Sequence, residues 1–253
     1  MNKKIIVANW KMNFESLAEA KKNFSEIKKT ASVLQNVQTV ICPPFLYLID
    51  LKKMYNGNKI LIGAQDVFEE NRGGFTGAVS PNMLKKNKID FVIIGHSEKR
   101  NLGENDEIVN KKIKIALEVG LKIILCVGEK SRSDEAGYFN FLKNQILSNL
   151  EKIKKDFLEK IIIAYEPVWV ISGNGGKKSL EPSDIYEMII FIKKVLFDKY
   201  GEEGSSLKIL YGGSVNVKNA KKILEVDGVG GLLVGKESLT PKKFNQILQI
   251  AND

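Results

Sequence analysis

The sequence predicts a (β/α)₈ barrel, an α/β fold in which eight parallel strands are surrounded by helices. Eight short apolar runs recur along the 253 residues, and amphipathic stretches separate most of them. The runs are almost continuously apolar, which is typical of parallel strands that are buried on both faces. Eight strand-helix pairs in such a chain average about 32 residues each, as this barrel requires. We therefore expect residues 1–253 to form a single barrel domain.

The eight predicted strands are rich in Ile, Val and Leu. An open, doubly wound sheet is the alternative arrangement for such strands, but the chain lacks the Gly-x-Gly-x-x-Gly fingerprint of a dinucleotide site. The predicted strands are the runs Lys4–Ala8, Val37–Cys42, Lys59–Gly63, Ile89–Ile94, Leu121–Cys126, Lys160–Ala164, Leu207–Tyr211 and Gly230–Val234.

Helical spacing of apolar residues marks the intervals between these runs. Leu17–Ile27 is polar with one apolar stripe, and apolar residues in Ile108–Leu117 and Phe139–Leu150 recur at helical intervals. Pro182 suits the first position of a further helix, because proline has no N–H to lose there.

The net charge of +9 comes mainly from lysine, since the 39 basic residues include only Arg72, Arg100 and Arg132. Nucleic-acid binding would favour clustered arginine and exposed aromatic residues, so we interpret the charge as a solvated surface and predict no nucleic-acid partner.

No apolar run reaches ~18 residues, so we predict no membrane span. The apolar patch near the start is too short for a secretory signal, and we expect a cytoplasmic protein.

Cys42 and Cys126 form neither a disulfide framework nor a metal-spaced cluster, and His96 is the only histidine. The sequence therefore predicts no metal and no cofactor. Gly230–Glu237 is close to a nucleotide-binding loop, but Glu237 stands where that loop needs a hydroxyl, and the middle of the segment is typical of a strand.

Polar residues and glycines follow most of the predicted strands. Because chemistry in this fold takes place at the carboxyl ends of the strands, these residues are expected to converge on one face. They are Asn9 and Lys11, Gln65, His96–Glu98, Gly128 and Glu129, Tyr165–Pro167, Gly212–Ser214, and Gly235 and Lys236.

These segments resemble the triosephosphate isomerase family along nearly the whole chain. Each motif alone is modest evidence, but together, in order and on the expected strands, they are specific. The motifs are Asn9-Trp-Lys-Met-Asn13, Gly63-Ala-Gln65, Gly74-Phe-Thr-Gly77, Ile94-Gly-His-Ser-Glu98, Cys126-Val-Gly-Glu129, Ala164-Tyr-Glu-Pro-Val-Trp169, Tyr211-Gly-Gly-Ser-Val215 and Leu233-Val-Gly235.

The resemblance implies proton transfer between dihydroxyacetone phosphate and glyceraldehyde 3-phosphate through an enediolate, as part of glycolysis and gluconeogenesis. Moving a carbonyl between adjacent carbons requires a carboxylate base, for which Glu166 is the candidate. His96 would be a neutral donor to the developing oxyanion. Lys11 would supply positive potential, and Asn9 a hydrogen bond to a substrate oxygen.

The resemblance also implies supporting residues around this set. Glu98 would orient the neighbouring polar network, and Cys126 would pack behind Glu166. Trp169 would meet Glu129, and Tyr211 and Ser214 would latch a lid formed by residues 167–178.

Backbone donors for the substrate phosphate are expected after the seventh and eighth strands, at Gly212–Ser214 and at Gly235 and Lys236. The lid is at least one residue longer than is usual in the family, so either Ser172 or Gly173 takes the phosphate-contacting position. Lys236 stands where a second glycine is common in the family, and its effect on that turn is open.

Residues 66–80 form a long, non-periodic segment of the kind that is usually functional or interfacial. The resemblance implies a homodimer in which this loop enters the partner subunit, with Thr76 near its tip. Ala78 stands where the family usually carries Glu, so one ion pair linked to the dimer is expected to be absent.

Two other functions compete with this interpretation. A Schiff-base aldolase on a similar barrel would need a lysine at the end of the sixth strand, where this chain has Glu166. A basic surface used for adhesion is the second alternative, as an added role at most.

Overall fold

The computed structural model describes residues 3–132, 137–170 and 180–253, and within them eight parallel strands pair into a closed barrel. Each strand pairs with its neighbours in chain order, and β1 closes the barrel against β8. The predicted (β/α)₈ fold is therefore confirmed. The strands are β1 Lys4–Asn9, β2 Val37–Cys42, β3 Ile60–Ala64, β4 Phe91–Ile94, β5 Lys122–Val127, β6 Ile161–Tyr165, β7 Ile209–Tyr211 and β8 Val229–Val234.

The described helices lie outside the barrel, and local sequence signals set where several of them begin. Ser16 and Asn105 accept a hydrogen bond from a backbone N–H in the first turn of the helix that each precedes. Pro182 occupies the first turn of its helix, as predicted. The α-helices are α1 Leu17–Ala31, α2 Phe45–Lys53, α3 Pro81–Lys86, α4 Ser97–Asn101, α5 Asp106–Glu118, α6 Gly137–Asn149, α7 Pro182–Tyr200, α8 Glu202–Ser205, α9 Ala220–Leu224 and α10 Pro241–Asn252.

Two apolar clusters stabilise this arrangement. The larger one fills the layer between the strands and the helices. The smaller one lies inside the barrel and takes residues of alternating position along the strands, such as Val40, Ile93, Ile124 and Leu210. Successive strand side chains point to opposite faces of the sheet, so one strand supplies both clusters. This explains why the strands are almost continuously apolar.

The fourth strand begins two residues later than its apolar run. The N–H of Ile89 donates to the carbonyl of Leu84 at the end of α3 (3.1 Å), so Ile89 closes that helix. The side chain of Asp90 accepts hydrogen bonds from the N–H of Ile62 and from Lys52. The backbone of Asp90 still bonds to both neighbouring strands, since its N–H donates to the carbonyl of Ile62 (2.8 Å) and its carbonyl accepts from the N–H of Lys122 (3.1 Å). The strand itself spans Phe91–Ile94.

Residues 66–80 contain neither a helix nor a strand. The N–H of Phe68 donates to the carbonyl of Val79 (2.9 Å), which holds the two ends of the loop together. The ring centroids of Phe68 and Phe75 are 4.5 Å apart, while Phe75 itself remains 45% exposed.

Among the described helices, none combines the length and apolar character that a membrane crossing would need.

Replacing Leu210 by Ala should lower the free energy of unfolding by about 2–5 kcal/mol, because it leaves a cavity inside the closed barrel. Urea denaturation followed by circular dichroism measures the change. Val33→Ala is the control, since Val33 is exposed and its loss should cost less than about 0.5 kcal/mol. Equal effects of the two substitutions would contradict the assignment of Leu210 to the barrel interior.

Candidate active site

A cavity of about 410 Å³ opens at the carboxyl ends of the strands, within the size range of small-molecule sites. Its wall combines ionisable side chains with glycines from several strand ends. The lining residues are Asn9, Lys11, Asn13, His96, Glu98, Glu166, Gly212, Gly213, Ser214, Val215, Leu233, Gly235, Lys236 and Leu239.

Glu166 follows β6 directly, and only 2% of its surface is exposed. Its Oε1 lies 3.3 Å from Nε2 of His96, and its Oε2 accepts a hydrogen bond from the N–H of Ser97 at the same distance. The backbone N–H of Glu166 donates to the carbonyl of Val127 (2.8 Å), which ties the residue to β5. A carboxylate is therefore held beside an imidazole with almost no contact to water.

His96 precedes α4, and its ring closes the start of that helix. Nδ1 accepts a hydrogen bond from the N–H of Glu98 (3.2 Å). A nitrogen that accepts a hydrogen bond carries no proton, so this contact selects the neutral ring with its proton on Nε2. Nε2 lies 3.3 Å from the carboxylate of Glu166, and both residues line the cavity.

Lys11 leaves β1 in a left-handed backbone conformation with φ 51°, which is unusual for a residue with a side chain. Its N–H donates to Oδ1 of Asn9 (3.0 Å), and its carbonyl accepts from Nε2 of Gln65 (2.9 Å). The ammonium group forms an ion pair of 2.6 Å with Glu98. These hydrogen bonds fix the backbone of the turn after β1, and the turn places the ammonium group of Lys11 at the cavity.

Comparison with known proteins identifies the family of the chain. The family model for triosephosphate isomerase matches residues 4–251. The chain belongs to the triosephosphate isomerase family.

Curated relatives in this family are similar along their whole length. The triosephosphate isomerase of Alkaliphilus metalliredigens is 42% identical over 96% of this chain and 98% of its own. The enzyme of Dictyoglomus thermophilum is 41% identical over 98% of this chain and 100% of its own. That of Aquifex aeolicus is 40% identical over 97% and 98%, respectively. The predicted resemblance is therefore confirmed.

The structure brings the four residues that the family resemblance named as catalytic, Asn9, Lys11, His96 and Glu166, to this one cavity. They come from β1, from the start of α4 and from the end of β6, so the convergence is a product of barrel closure. Glu98 lies at the same mouth and pairs with Lys11.

The two glycine turns expected to receive a phosphate also line the cavity. Gly212, Gly213 and Ser214 follow β7, while Gly235 and Lys236 follow β8. Gly235 precedes a short 3₁₀-helix, Lys236–Leu239, whose first N–H groups have no carbonyl partner within that helix. Gly235 lies against Lys11, because a Cβ added there would contact the Cε atom of the lysine at 3.4 Å.

Glycine is required at two positions that contact Glu166. A Cβ at Gly128 would overlap the backbone carbonyl of Glu166, and nothing flexible could move away. A Cβ at Gly212 would lie 2.9 Å from Cγ of the same residue. The end of β6 is therefore packed between two side-chain-free backbones, which restricts where the carboxylate can lie.

Glu129 follows β5, is 1% exposed, and gathers three donors on one oxygen. Its Oε1 accepts from Nε1 of Trp169 (3.0 Å), from the hydroxyl of Tyr165 (2.9 Å) and from Nε of Arg132 (3.0 Å). Burial, followed by the negative charge of Glu129, raises the pKa of Tyr165 well above its ordinary value, so its hydroxyl stays a donor. The contact of Trp169 with Glu129 that the resemblance implied is present.

The remaining supporting residues are buried beside these groups. Burial, and then the charge of Glu166, raises the pKa of the Cys126 thiol well above its ordinary value. Burial likewise raises the pKa of Tyr211, which follows Tyr165 in the next strand with ring centroids 6.3 Å apart. Ser172 and Gly173, the two candidates for the phosphate contact of the lid, lie outside the described residues.

Sequence reasoning did not assign roles to three residues that the structure places in contact with this set. Ser97 donates its N–H to Glu166, and Gln65 holds the carbonyl of Lys11. Both stand directly in or after a strand-end motif, so their positions carried a signal. Arg132 carried none, because its partners Tyr165 and Trp169 lie on another strand end.

Both cysteines should resist thiol reagents in the folded protein, because burial raises the pKa values of Cys42 and Cys126 and leaves them without solvent contact. Ellman's reagent at pH 8 should detect almost no thiol in the native protein, and both thiols after denaturation in guanidinium. Rapid reaction of the native protein would contradict the packing of Cys126 behind Glu166.

Proposed function

We propose that this protein interconverts dihydroxyacetone phosphate and D-glyceraldehyde 3-phosphate, with Glu166 as the base. The observation that carries the proposal is the pair formed by the buried Glu166 carboxylate and the His96 imidazole, 3.3 Å apart on the wall of the cavity. Membership of the triosephosphate isomerase family supports the reaction, and the geometry supports the residue roles. The aldolase alternative is not favoured, because the strand end where it needs a lysine carries Glu166.

In the first half of the proposed reaction, Glu166 takes a proton from the carbon next to the substrate carbonyl. The electrons of the broken C–H bond form the C=C bond of the enediolate, and the carbonyl electron pair moves to oxygen. A second proton moves from the hydroxyl on the carbon that lost its proton to the oxygen that gained charge. Glu166 then returns its proton to the former carbonyl carbon, where the C=C electron pair forms the new C–H bond, and the new C=O bond forms at the first carbon. The position of Glu166 favours this role, since its carboxylate is buried from water and lines the cavity where the substrate would bind.

The oxygen that gains charge needs donors that are already in place. The Nε2–H of His96 is one, because the N–H of Glu98 holds the opposite ring nitrogen as an acceptor. A neutral imidazole in this role is the established pattern of the family. Lys11 adds positive potential at the same wall, and Asn9, which fixes the backbone of Lys11, is placed to contact a substrate oxygen.

The substrate phosphate is proposed to bind at the turns after β7 and β8. Gly212–Ser214 and Gly235 line the cavity. The N–H of Gly212 donates to the carbonyl of Tyr165 (2.8 Å), and glycine at positions 213 and 235 lets an anion approach the backbone closely. Phosphate sites in (β/α)₈ barrels are frequently formed by these two loops. Lys236 follows at the exposed rim, where its backbone N–H starts the 3₁₀-helix. No cofactor enters this scheme.

Replacing Glu166 by Gln should lower kcat by roughly 10²–10⁴-fold, because the amide keeps the shape of the carboxylate but cannot accept the proton. The assay couples dihydroxyacetone phosphate formation from glyceraldehyde 3-phosphate to its reduction. Glu151→Gln, at an exposed position, is the matched control and should retain wild-type kcat. Unchanged turnover in Glu166→Gln would remove Glu166 as the base, and an inactive, folded wild-type protein would overturn the proposed function.

A homodimer built through residues 66–80 is part of the same proposal. The loop projects Phe75 and Thr76 to the surface, and its two ends are closed by the Phe68–Val79 hydrogen bond. Leu46 (81% exposed) and Met83 (56% exposed) are further large apolar side chains left at the surface of this chain. Met83 and Phe75 line the same surface depression, and contiguous exposed apolar surface marks association sites.

Thr76→Arg should convert the dimer into monomers and lower activity with it, because a charged side chain at the loop tip would be buried in the partner subunit. Light scattering after size exclusion gives the mass of each variant. Ser148→Arg, which makes a similar change at an exposed position on α6, should leave the dimer intact. A wild-type mass of one chain would refute the dimer.

Two broader expectations accompany this function. We propose that residues 1–253 act as one barrel domain, which the pairing of all eight strands in one closed sheet supports. The cytoplasm as the place of action stays a prediction, supported by the role of the family in glycolysis and gluconeogenesis.

A further inference from the structure

Arg132 lies three residues beyond Glu129 and does not line the cavity, yet its guanidinium contacts two aromatic rings. Its Cζ atom lies 5.0 Å from the ring centroid of Tyr138 and 5.5 Å from that of Trp169. Both distances fall within the ~6 Å at which a cation and an aromatic ring attract each other. Arg132 therefore joins the start of α6 to the segment that follows β6.

The edge of the same guanidinium donates hydrogen bonds into the Glu129 cluster. Nε donates to Oε1 of Glu129 (3.0 Å), and Nη2 donates to the hydroxyl of Tyr165 (3.1 Å). Within the described ranges, Arg132 is the only cation within ion-pair distance of Glu129. Burial alone would lower the pKa of Arg132, but Tyr165 and Glu129 raise it above its ordinary value, so the charge persists.

Glu129 in turn holds the chain on which the proposed base lies. Its carbonyl accepts from the N–H of Val168 (3.0 Å), and its carboxylate accepts from the indole of Trp169. Glu166 is only three residues before Trp169. A shift of Glu129 or Trp169 is thereby passed to the backbone of Glu166.

We propose that Arg132 is a positioning residue for Glu166, acting through Glu129 and Trp169. This inference rests on the proposed function of Glu166 as the base. Loss of the arginine leaves a buried carboxylate without its cation and frees one contact of the Trp169 ring, so the segment from Glu166 to Val170 loses its fixed position. Arg132 is not among the described residues that line the cavity with Gly212–Ser214 and Gly235, so we expect substrate binding there to change little.

The test compares Arg132→Met and Arg132→Lys with the control Lys130→Met, which removes a neighbouring exposed positive charge. Arg132→Met should lower kcat roughly ten-fold, less than the ~100-fold that a 1 Å misplacement can cause. KM should stay within about two-fold of the wild type. Arg132→Lys should recover only part of kcat, because lysine keeps the charge but lacks the planar, two-sided fork. Lys130→Met should behave as the wild type.

Acrylamide quenching of tryptophan fluorescence supplies a readout that does not depend on turnover. The chain has two tryptophans, and Trp10 is fully buried, so quenching reports mainly on Trp169. The quenching constant should rise in Arg132→Met and less in Arg132→Lys.

Wild-type kcat and wild-type quenching in Arg132→Met would overturn the inference, as would an equal loss of kcat in Lys130→Met. If circular dichroism shows that Arg132→Met does not fold, Arg132→Lys decides, and values equal to the wild type in both measurements overturn the proposal. An active wild-type enzyme with an unaffected Arg132→Met refutes this inference alone, whereas an inactive wild type refutes the proposed function on which it rests.

Discussion

Closure of the eight parallel strands, with β1 hydrogen-bonded to β8, is the constraint on which the candidate site depends. In a parallel barrel every strand ends at the same mouth, so residues far apart in the chain meet there. Asn9 is the last residue of the first strand and Gly235 directly follows the last strand, yet both line one cavity. An open sheet would place these two residues at opposite edges. The chemistry of the site is therefore a consequence of topology before it is a consequence of any single side chain.

Charge burial is the second determinant of the site. Glu129 and Glu166 are both almost fully buried, and each follows a neighbouring strand. Burying a carboxylate costs free energy unless donors surround it. Glu129 meets that need at Oε1, which accepts from Arg132, Tyr165 and Trp169. Glu166 accepts from the N–H of Ser97 and lies beside the imidazole of His96, on the wall of the cavity where the substrate is proposed to bind. One buried glutamate, Glu129, therefore anchors the chain after β5, and another, Glu166, is the proposed base after β6.

Backbone geometry links the two carboxylates. Gly128 lies against the carbonyl of Glu166, where no side chain fits, and Gly212 lies against its Cγ atom. Lys11 is held in a left-handed conformation by Asn9 and Gln65. Conformations of this kind persist only where the surroundings over-determine them, and they cluster at functional sites. Close packing and hydrogen bonds therefore restrict the backbone at the points where the proposed chemistry needs fixed distances.

The sequence by itself determined the number and order of the strands, the face on which polar groups gather, and the family. Near-continuous apolar runs indicate strands that are buried on both faces. The motifs that follow these runs are short and continuous in the sequence, so both features can be recognised without a structure. From the sequence, the neutral state of the His96 ring was an expectation that rested on the family resemblance. The hydrogen bond from Glu98 to Nδ1, which selects the tautomer, is a tertiary fact about how the ring lies on α4.

Only the tertiary structure decided the contacts between strand ends. Arg132 looks like any basic residue in a lysine-rich chain, and its place beside Glu129, Tyr165 and Trp169 follows from β5 and β6 being neighbours in the barrel. Asp90 is a second case, since its side chain accepts a hydrogen bond from the N–H of Ile62 on β3. Periodicity reports how one segment is buried. It carries no information on which distant side chain will satisfy a buried charge, because that choice is made when the strands come together.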